Sequence, residues 1–250
     1  MKRNGWKPGC FPVLLLALAW VSGCATTKPA PPFAAEEAAT ETPESDRGWW
    51  YARFRIHWPE GEPPRWHVDP LIAREVVAPV LEDFRETIEL WRFHRRARRD
   101  AAGHQFSFIV YTSPEAAARI FRRIQKSPVL EELKARKLIE KDSYDDPQKI
   151  GRPGIGDTSD SLWSEPLQKA WPYFIMGVSQ TWLDLVDRLA VETAAEGEAS
   201  QGGLEAFYRV VNERLVELWR DEGGHAFIHH LNALFGYEET FIYERRLMRF

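Results

Sequence analysis

The sequence predicts an α+β fold, with a sheet in the first half of the folded domain and helices in the second half. Apolar and polar residues alternate in several short runs between positions 50 and 144, which is the period of β-strands. From Phe174 onward, apolar residues recur every three and four positions, which is the period of helices that pack on a core. About two hundred residues are enough for one domain with a substantial core.

The domain begins with a predicted strand and a predicted helix. Residues 50–58 alternate between apolar and polar side chains, which predicts a strand with one buried face. Asp69 is followed by proline, which is typical of a helix start with aspartate as the N-cap and proline at the first helical position. Pro79 predicts a kink or a restart of this helix, because proline lacks the N–H that a helix interior needs.

A hairpin, two capped helices and a fourth strand are predicted next. Residues 88–96 and 104–112 are strand-like runs around a Gly-containing turn, which predicts a hairpin. Ser113 and Ser127 each precede a proline, a pattern typical of capped helix starts, and residues 137–144 are the last strand-like run. The resulting β-α-β-β-α-β order is the ferredoxin-like arrangement, with helices covering one face of the sheet.

The second half of the domain is predicted to be a C-terminal helical bundle. Apolar stripes at 174–189 and 204–218 predict two helices, joined by a Glu-, Gly- and Ser-containing connector at 194–203. A last helix is predicted from His225 to Phe235, with Gly236 as its C-terminal cap.

The N-terminus has the pattern of a bacterial lipoprotein leader. The apolar run at 11–21 is too short to span a bilayer as a helix, and it follows a positive segment with Lys2, Arg3 and Lys7. The small residues before Cys24, Val21-Ser22-Gly23, resemble a lipobox. We therefore expect residues 1–23 to be a signal peptide and Cys24 to be acylated.

An acylated cysteine predicts a location and a tether. Acyl chains on Cys24 would bind membrane lipid, and Ala25 at the next position favours the outer over the inner membrane of the cell envelope. Residues 24–48 are rich in Thr, Pro, Ala and Glu and are predicted to be a disordered tether, which leaves 49–250 as a single folded domain. Cys10 is the only other cysteine and lies in the leader, so no disulfide is expected in the domain.

Composition and short motifs give little support for nucleic-acid binding, for a P-loop or for a zinc site. A formal net charge of -4 gives no basic excess for a nucleic-acid partner. The Gly-rich loop at 151–157 lacks the Lys-Ser/Thr ending of a P-loop and is interpreted as a turn. His225 and His229 share a helix face but would need a third ligand to hold zinc. They are interpreted as lining a polar groove, and no metal or cofactor is predicted.

A basic cluster occupies the predicted hairpin, formed by Arg92, His94, Arg95, Arg96, Arg98 and Arg99. One interpretation is a solvated strand whose charges protect a sheet edge. The other is a site for a carboxylate or a phosphate, which arginine binds through planar, bidentate donors. Lipid headgroups are one such anion.

Several segments resemble thiopeptide-type bacteriocin biosynthesis domains, the small elimination domains of lantibiotic dehydratases. The segments are residues 50–54, Trp91-Arg92-Phe93-His94-Arg95-Arg96, His104-Gln105-Phe106-Ser107-Phe108, Ser143-Tyr144-Asp145-Asp146, and 229–236 with Glu238, Glu239 and Glu244 after it. Such domains remove glutamate from a glutamylated Ser or Thr of a precursor peptide. The resemblance therefore implies a peptide partner and, in an active enzyme, a lyase. It implies catalytic roles for Arg95, His104 and His230, and binding roles for Arg92, His229 and Asn232.

The chain also departs from that family. The paired arginines of its second hairpin strand are Phe106 and Phe108 here, the late Asn-Arg is Asn232-Ala233, and Ile228 stands at the strict spacing of the late histidine. An apolar Phe-x-Phe cannot stabilise the anions that elimination generates. The leading hypothesis is therefore a non-catalytic, envelope-anchored module that binds a peptide or a small anionic ligand. The alternative is an active elimination enzyme, or one that catalyses a related ring-forming step.

Overall fold

The computed structural model describes residues 46–197, 203–237 and 239. The predicted signal peptide at 1–23, Cys24 and most of the predicted tether lie outside the described residues, as do Glu238 and Glu244. Within the described part of the chain, no helix is both long and apolar enough to cross a membrane.

The α+β class is confirmed. All four predicted strands form one sheet of order β2-β3-β1-β4, and every neighbouring pair is antiparallel. The strands are β1 (Gly48–Ile56), β2 (Leu90–Ala97), β3 (His104–Thr112) and β4 (Ile139–Tyr144).

One face of this sheet forms the core. On β1, alternate residues point into it, so Trp50 and Phe54 are buried while Arg55 on the other face is exposed. Phe106 and Phe108 of β3 are buried on the same face as Phe54. The two positions at which the resembled family has arginines are therefore core positions, where an apolar ring is favoured over a charge.

After a loop at 57–67, three helical segments run directly into one another: α1 (Val68–Leu71), a π-helical stretch (Ile72–Val77) and α2 (Ala78–Phe84). Pro79, the predicted site of a kink or restart, lies in the first turn of α2, where the π-helical stretch passes into α-helix. The predicted N-cap is wrong. His67 precedes α1 and makes no side-chain cap, whereas Asp69 lies inside the first turn and is completely buried. Its carboxylate binds Arg95 instead, because a charge-assisted hydrogen bond in the interior is stronger than a cap.

Two short helices, α3 (Pro114–Gln125) and α4 (Pro128–Ala135), cross from β3 to β4. Ser113 Oγ accepts a hydrogen bond from Ala116 N at 3.3 Å, and Ser127 Oγ accepts one from Leu130 N at 3.4 Å. Both predicted caps are therefore confirmed.

The C-terminal region is helical, as predicted. It contains α5 (Glu165–Glu196), α6 (Gly203–Gly223), a second π-helical stretch (Gly224–His229) and α7 (His230–Leu234). The predicted last helix is not separate, since it continues α6 through the π-helical stretch. Gly236 has a φ of 77°, the left-handed conformation of a helix C-terminal cap. The predicted connector was placed too early, because α5 runs to Glu196; residues 198–202 lie outside the described part.

The edge of β2 is covered by α5. Phe93 N donates a hydrogen bond to Ser179 Oγ of α5 at 3.1 Å, and the ring of Trp182 lies 5.5 Å from that of Phe93. The basic hairpin strand is therefore an edge strand, but a helix rather than solvated charge protects its edge.

Candidate binding groove and buried charge cluster

Arg95 lies on the core face of β2, directly opposite Phe106 of β3. Its guanidinium carbon is 5.3 Å from the ring centroid of Trp66 and 4.8 Å from that of Trp182. Cation–π contacts of this kind fix the plane of a guanidinium while leaving its remaining N–H groups available. The Arg95 side chain is 28% exposed, so it is accessible at the surface of the domain.

Asp69 is the buried partner of Arg95. Its side chain is 0% exposed, and its Oδ2 accepts a hydrogen bond from Arg95 Nε at 2.7 Å. Because the carboxylate is entirely buried, only the guanidinium of this ion pair is exposed to solvent. Asp69 is a site residue that its local sequence does not reveal. An aspartate before a helical proline carries the signal of an N-cap, and nothing local distinguishes a carboxylate that points inward.

His104 meets the same carboxylate from β3. Its Nε2 lies 3.2 Å from Asp69 Oδ1, and its side chain is fully buried. The separation suits an ionic contact, but the two groups are not aligned for a hydrogen bond, and neither ring nitrogen has a hydrogen-bond partner among the described residues. Trp66 packs edge-on to the imidazole at 4.8 Å between ring centroids. Arg95 and His104 are thus brought together, as the resemblance implies, although His104 is buried.

A groove of about 1130 Å³ opens beside Arg95. Its walls are α5 on one side and α6, the second π-helical stretch and α7 on the other. The lining is almost entirely apolar, and Val178, Val216 and Trp219 are among its exposed side chains. Among the described residues that line it, none is acidic and Arg95 alone carries a permanent charge.

Of the three histidines near the C-terminal end of the described chain, one lines this groove. His230 lines it together with Arg95, whereas His229 and Asn232 are not among its described lining residues. The rings of His225, His229 and His230 lie 5.3 Å apart from centroid to centroid. Even so, no group of three or more His, Cys, Asp or Glu side chains in the described chain is arranged to hold a metal ion.

Polar contacts hold α6 as the second wall of the groove. Tyr208 of α6 donates a hydrogen bond to Glu75 of the first π-helical stretch, and burial raises the pKa of the Tyr208 hydroxyl. His67 Nε2 lies 3.3 Å from Glu205 Oε1 at the start of α6. Burial, with the nearby charge of Arg209, lowers the pKa of His67 below its ordinary value of 6.5.

A smaller cavity, about 100 Å³, is lined by His104 with Arg55, Trp58 and Arg99. The Arg99 guanidinium lies 3.5 Å from the Trp58 ring centroid and donates hydrogen bonds to the carbonyls of Trp58 and Pro59. These donors are engaged in holding a loop, so the larger groove is the better candidate for binding.

Arg92, also implied as a binding residue, does not belong to the groove. It is three positions before Arg95 on β2 and therefore lies on the opposite face of the sheet. The Gly-rich loop at 151–157 is a turn, as predicted, and leads into a short 3₁₀ helix (Ile155–Thr158) beside that opposite face.

Comparison with known proteins assigns no family to the chain. No family model matches it, and no curated protein or solved structure matches it either. The resemblance to thiopeptide-type biosynthesis domains rests on the short segments described above.

Proposed function

We propose that this chain is a lipid-anchored protein of the cell envelope whose domain is a non-catalytic module for binding a peptide. The occupant of the groove is an apolar, helical peptide segment that carries a carboxylate. The lipobox before Cys24 supports the anchor and its outer-membrane location, and the groove beside Arg95 supports the ligand class.

The observation that carries this proposal is an apolar groove with a single exposed cation. Arg95 uses Nε for Asp69 and Nη2 for the Trp66 carbonyl, so the described contacts engage two of its five N–H donors. A carboxylate can bind the others, because the buried Asp69 presents no negative charge to the groove. Removal of a hydrogen bond to a charged group costs about 1.5–3 kcal/mol.

The walls favour a helical peptide over a small ligand. Two helices with exposed aliphatic side chains form a groove of the kind that accepts the apolar face of a third helix. Val178 is 46% exposed on one wall and Val216 is 44% exposed on the other, which leaves a large apolar surface uncovered among the described residues. Continuous apolar surfaces of this size mark interaction sites in soluble domains.

The absence of catalysis is part of the proposal. The general base of an elimination must reach its proton, but His104 is buried behind Trp66. Phe106 and Phe108 are in the core, so β3 supplies no cation to an enolate or a leaving carboxylate.

We also propose that the sheet layer is ferredoxin-like. The β-α-β-β-α-β element order supports this, and so does the antiparallel sheet with β1 and β3 in the middle and β2 and β4 at its edges. A relation to thiopeptide-type domains is proposed on the same support together with the resembling segments.

Peptide binding can be tested with the full acylated chain in phosphatidylcholine vesicles. The probe is a dansyl-labelled Leu/Ala helical peptide with a free C-terminal carboxylate, and protein-free vesicles are the blank. We expect saturable binding that Val178→Glu abolishes. Val191→Glu is the matched control, because Val191 is another exposed valine of α5 and is not among the described residues that line the groove. Equal binding by both variants, or none by the wild type, would refute the proposal.

The second candidate is an active elimination enzyme, favoured by one observation: Arg95 and His230 line the same groove. Its substrate would be a peptide glutamylated on Ser or Thr. Mass spectrometry of such a peptide, incubated with the chain, detects loss of glutamate. Dehydration that Arg95→Ala and His230→Ala both abolish would establish this candidate and exclude the binding module.

A further inference from the structure

The sheet face opposite the core carries a second group of cations, centred on Arg92. Across the sheet, Arg92 of β2 lies beside Ile109 of β3, which in turn lies beside Tyr51 of β1. In the next row, His94 and Arg53 flank Ser107 in the same way. Arg92, His94, Tyr51 and Arg53 therefore share one face, away from the groove.

Two buried donors in this region have no acceptor. Arg92 Nη2 donates a long hydrogen bond, 3.4 Å, to the carbonyl of Thr158. Arg92 Nε and the Thr158 hydroxyl are both buried and have no hydrogen-bond partner among the described residues. Buried polar groups are nearly always paired, so these two unpaired donors, on residues that the Arg92–Thr158 hydrogen bond joins, call for an acceptor.

The charge balance at Arg92 points to an anion. Burial lowers the pKa of Arg92, and of the described side chains only Tyr51 opposes this shift. No carboxylate does so, and neighbouring Asp157 instead accepts a hydrogen bond from Gly154 N. A buried cation without a counter-charge is costly unless a ligand supplies one.

The neighbouring arginines add to this excess. Arg53 and Arg152 lie 4.5 and 4.7 Å from the Tyr51 ring centroid and share one carboxylate, Asp145. Among the described residues, Arg53 and Arg152 thus share one acid and Arg92 pairs with none, so this face carries an excess of positive charge. Partial burial and the charges of Arg92 and Arg96 lower the pKa of His94 on the same face.

We propose that Arg92, Thr158 and Tyr51 form a binding site for a phosphate group. Arginine offers a planar, bidentate fork to phosphate oxygens, and the Thr158 and Tyr51 hydroxyls can each donate one further hydrogen bond. A phosphate group carries a charge of about −1.5 to −2 at neutral pH, which suits this excess of positive charge better than the single charge of a carboxylate does. The site lies on the other face of the sheet from the groove and does not depend on the proposed peptide binding.

Isothermal titration of the full chain in a nonionic detergent tests this site, with inorganic phosphate as the first probe. We expect one saturable site, weakened roughly tenfold or more by Arg92→Met, which removes a charge-assisted pair. Thr158→Val should weaken phosphate binding several-fold. Arg122→Met is the control, because Arg122 is an exposed arginine of α3 outside the proposed site, and this variant should bind phosphate as wild type does. Circular dichroism shows whether each variant is folded. If Arg92→Met does not fold, the phosphate affinity of Thr158→Val is the test of the site.

Two further probes identify the ligand and its source. Acetate should bind more weakly than phosphate, and glycerol 3-phosphate reports on a lipid headgroup. Tighter binding of glycerol 3-phosphate than of inorganic phosphate would indicate a headgroup, and the reverse order would indicate free phosphate. The proposal is overturned if wild type does not bind phosphate, if acetate binds more tightly, or if the Arg92 and Thr158 variants bind as wild type does.

Discussion

Asp69 Oδ2 and Arg95 Nε, which are 2.7 Å apart, join α1 to the hairpin strand β2 through a pair in which only the cation is exposed. The same carboxylate lies 3.2 Å from His104 Nε2 on β3. One buried acid thus positions a surface arginine beside the groove and lies within ionic-contact distance of the histidine that the resemblance would make catalytic.

Neutralising Asp69 should destabilise the domain strongly. Asp69→Asn leaves Arg95 without its counter-charge, and breaking a buried pair costs about 3 kcal/mol of unfolding free energy. Urea denaturation measures this. Asp83→Asn is the control, since Asp83 pairs with Arg123 on the surface and exposed pairs contribute about 0–1 kcal/mol. Equal stabilities of the two variants would show that the Asp69 contact is not structural.

Replacing Phe106 by arginine, the residue that thiopeptide-type domains have at the resembling position, should disrupt folding. Phe106 is fully buried, so Phe106→Arg places an unpaired charge in the core and should lower the melting temperature by many degrees. Gln105→Glu, at the neighbouring position on the opposite sheet face between Arg55 and Arg96, should be tolerated. Thermal melts followed by circular dichroism compare the two variants. A stable Phe106→Arg variant would mean that β3 can still accommodate a catalytic cation.

Acid should weaken the packing of α6 through His67. Its pKa is lowered in the folded state, so the unfolded chain binds the proton more readily below pH 6.5. The stability that neutral His67 contributes is present above that pH and is lost as the pH falls through the lower, folded-state pKa. Unfolding free energies at neutral pH and at about pH 5 should differ less in His67→Gln than in wild type. Equal differences would contradict this assignment.

The anchor makes a separate prediction. Cells grown with radiolabelled palmitate should label the wild-type chain and not Cys24→Ser, since the thiol is the acylation site. Cys10→Ser changes the other cysteine, which lies in the predicted leader, and should remain labelled. A label on Cys24→Ser, or a wild-type chain free in the cytosol, would exclude the proposed location.

Helix caps and strands, which depend on residues close together in the chain, were predictable from the sequence. Ser113 and Ser127 cap their helices, and each hydroxyl accepts its hydrogen bond from a backbone N–H only three residues later. Such a contact is visible in the local sequence. The four strands were predictable for the same reason, since alternation reports which face of each strand is buried.

Features that depend on distant partners were not predictable. Asp69 carries a local cap signal, and only Arg95, 26 residues later, makes it a buried acid. The helix from His225 continues α6 through a π-helical stretch, and no residue pattern marked that continuity. The groove was missed because its walls come from segments whose apolar stripes equally suit a core.

The most direct test of the proposed function is the preference of the groove for a carboxylate. The full chain in phosphatidylcholine vesicles is titrated with the dansyl-labelled Leu/Ala peptide as its free C-terminal acid and as its amide. Wild type should bind the acid roughly tenfold more tightly, and Arg95→Lys, which keeps the charge for Asp69 but loses the planar fork, should reduce that preference. Equal binding of acid and amide by wild type would contradict the role assigned to Arg95.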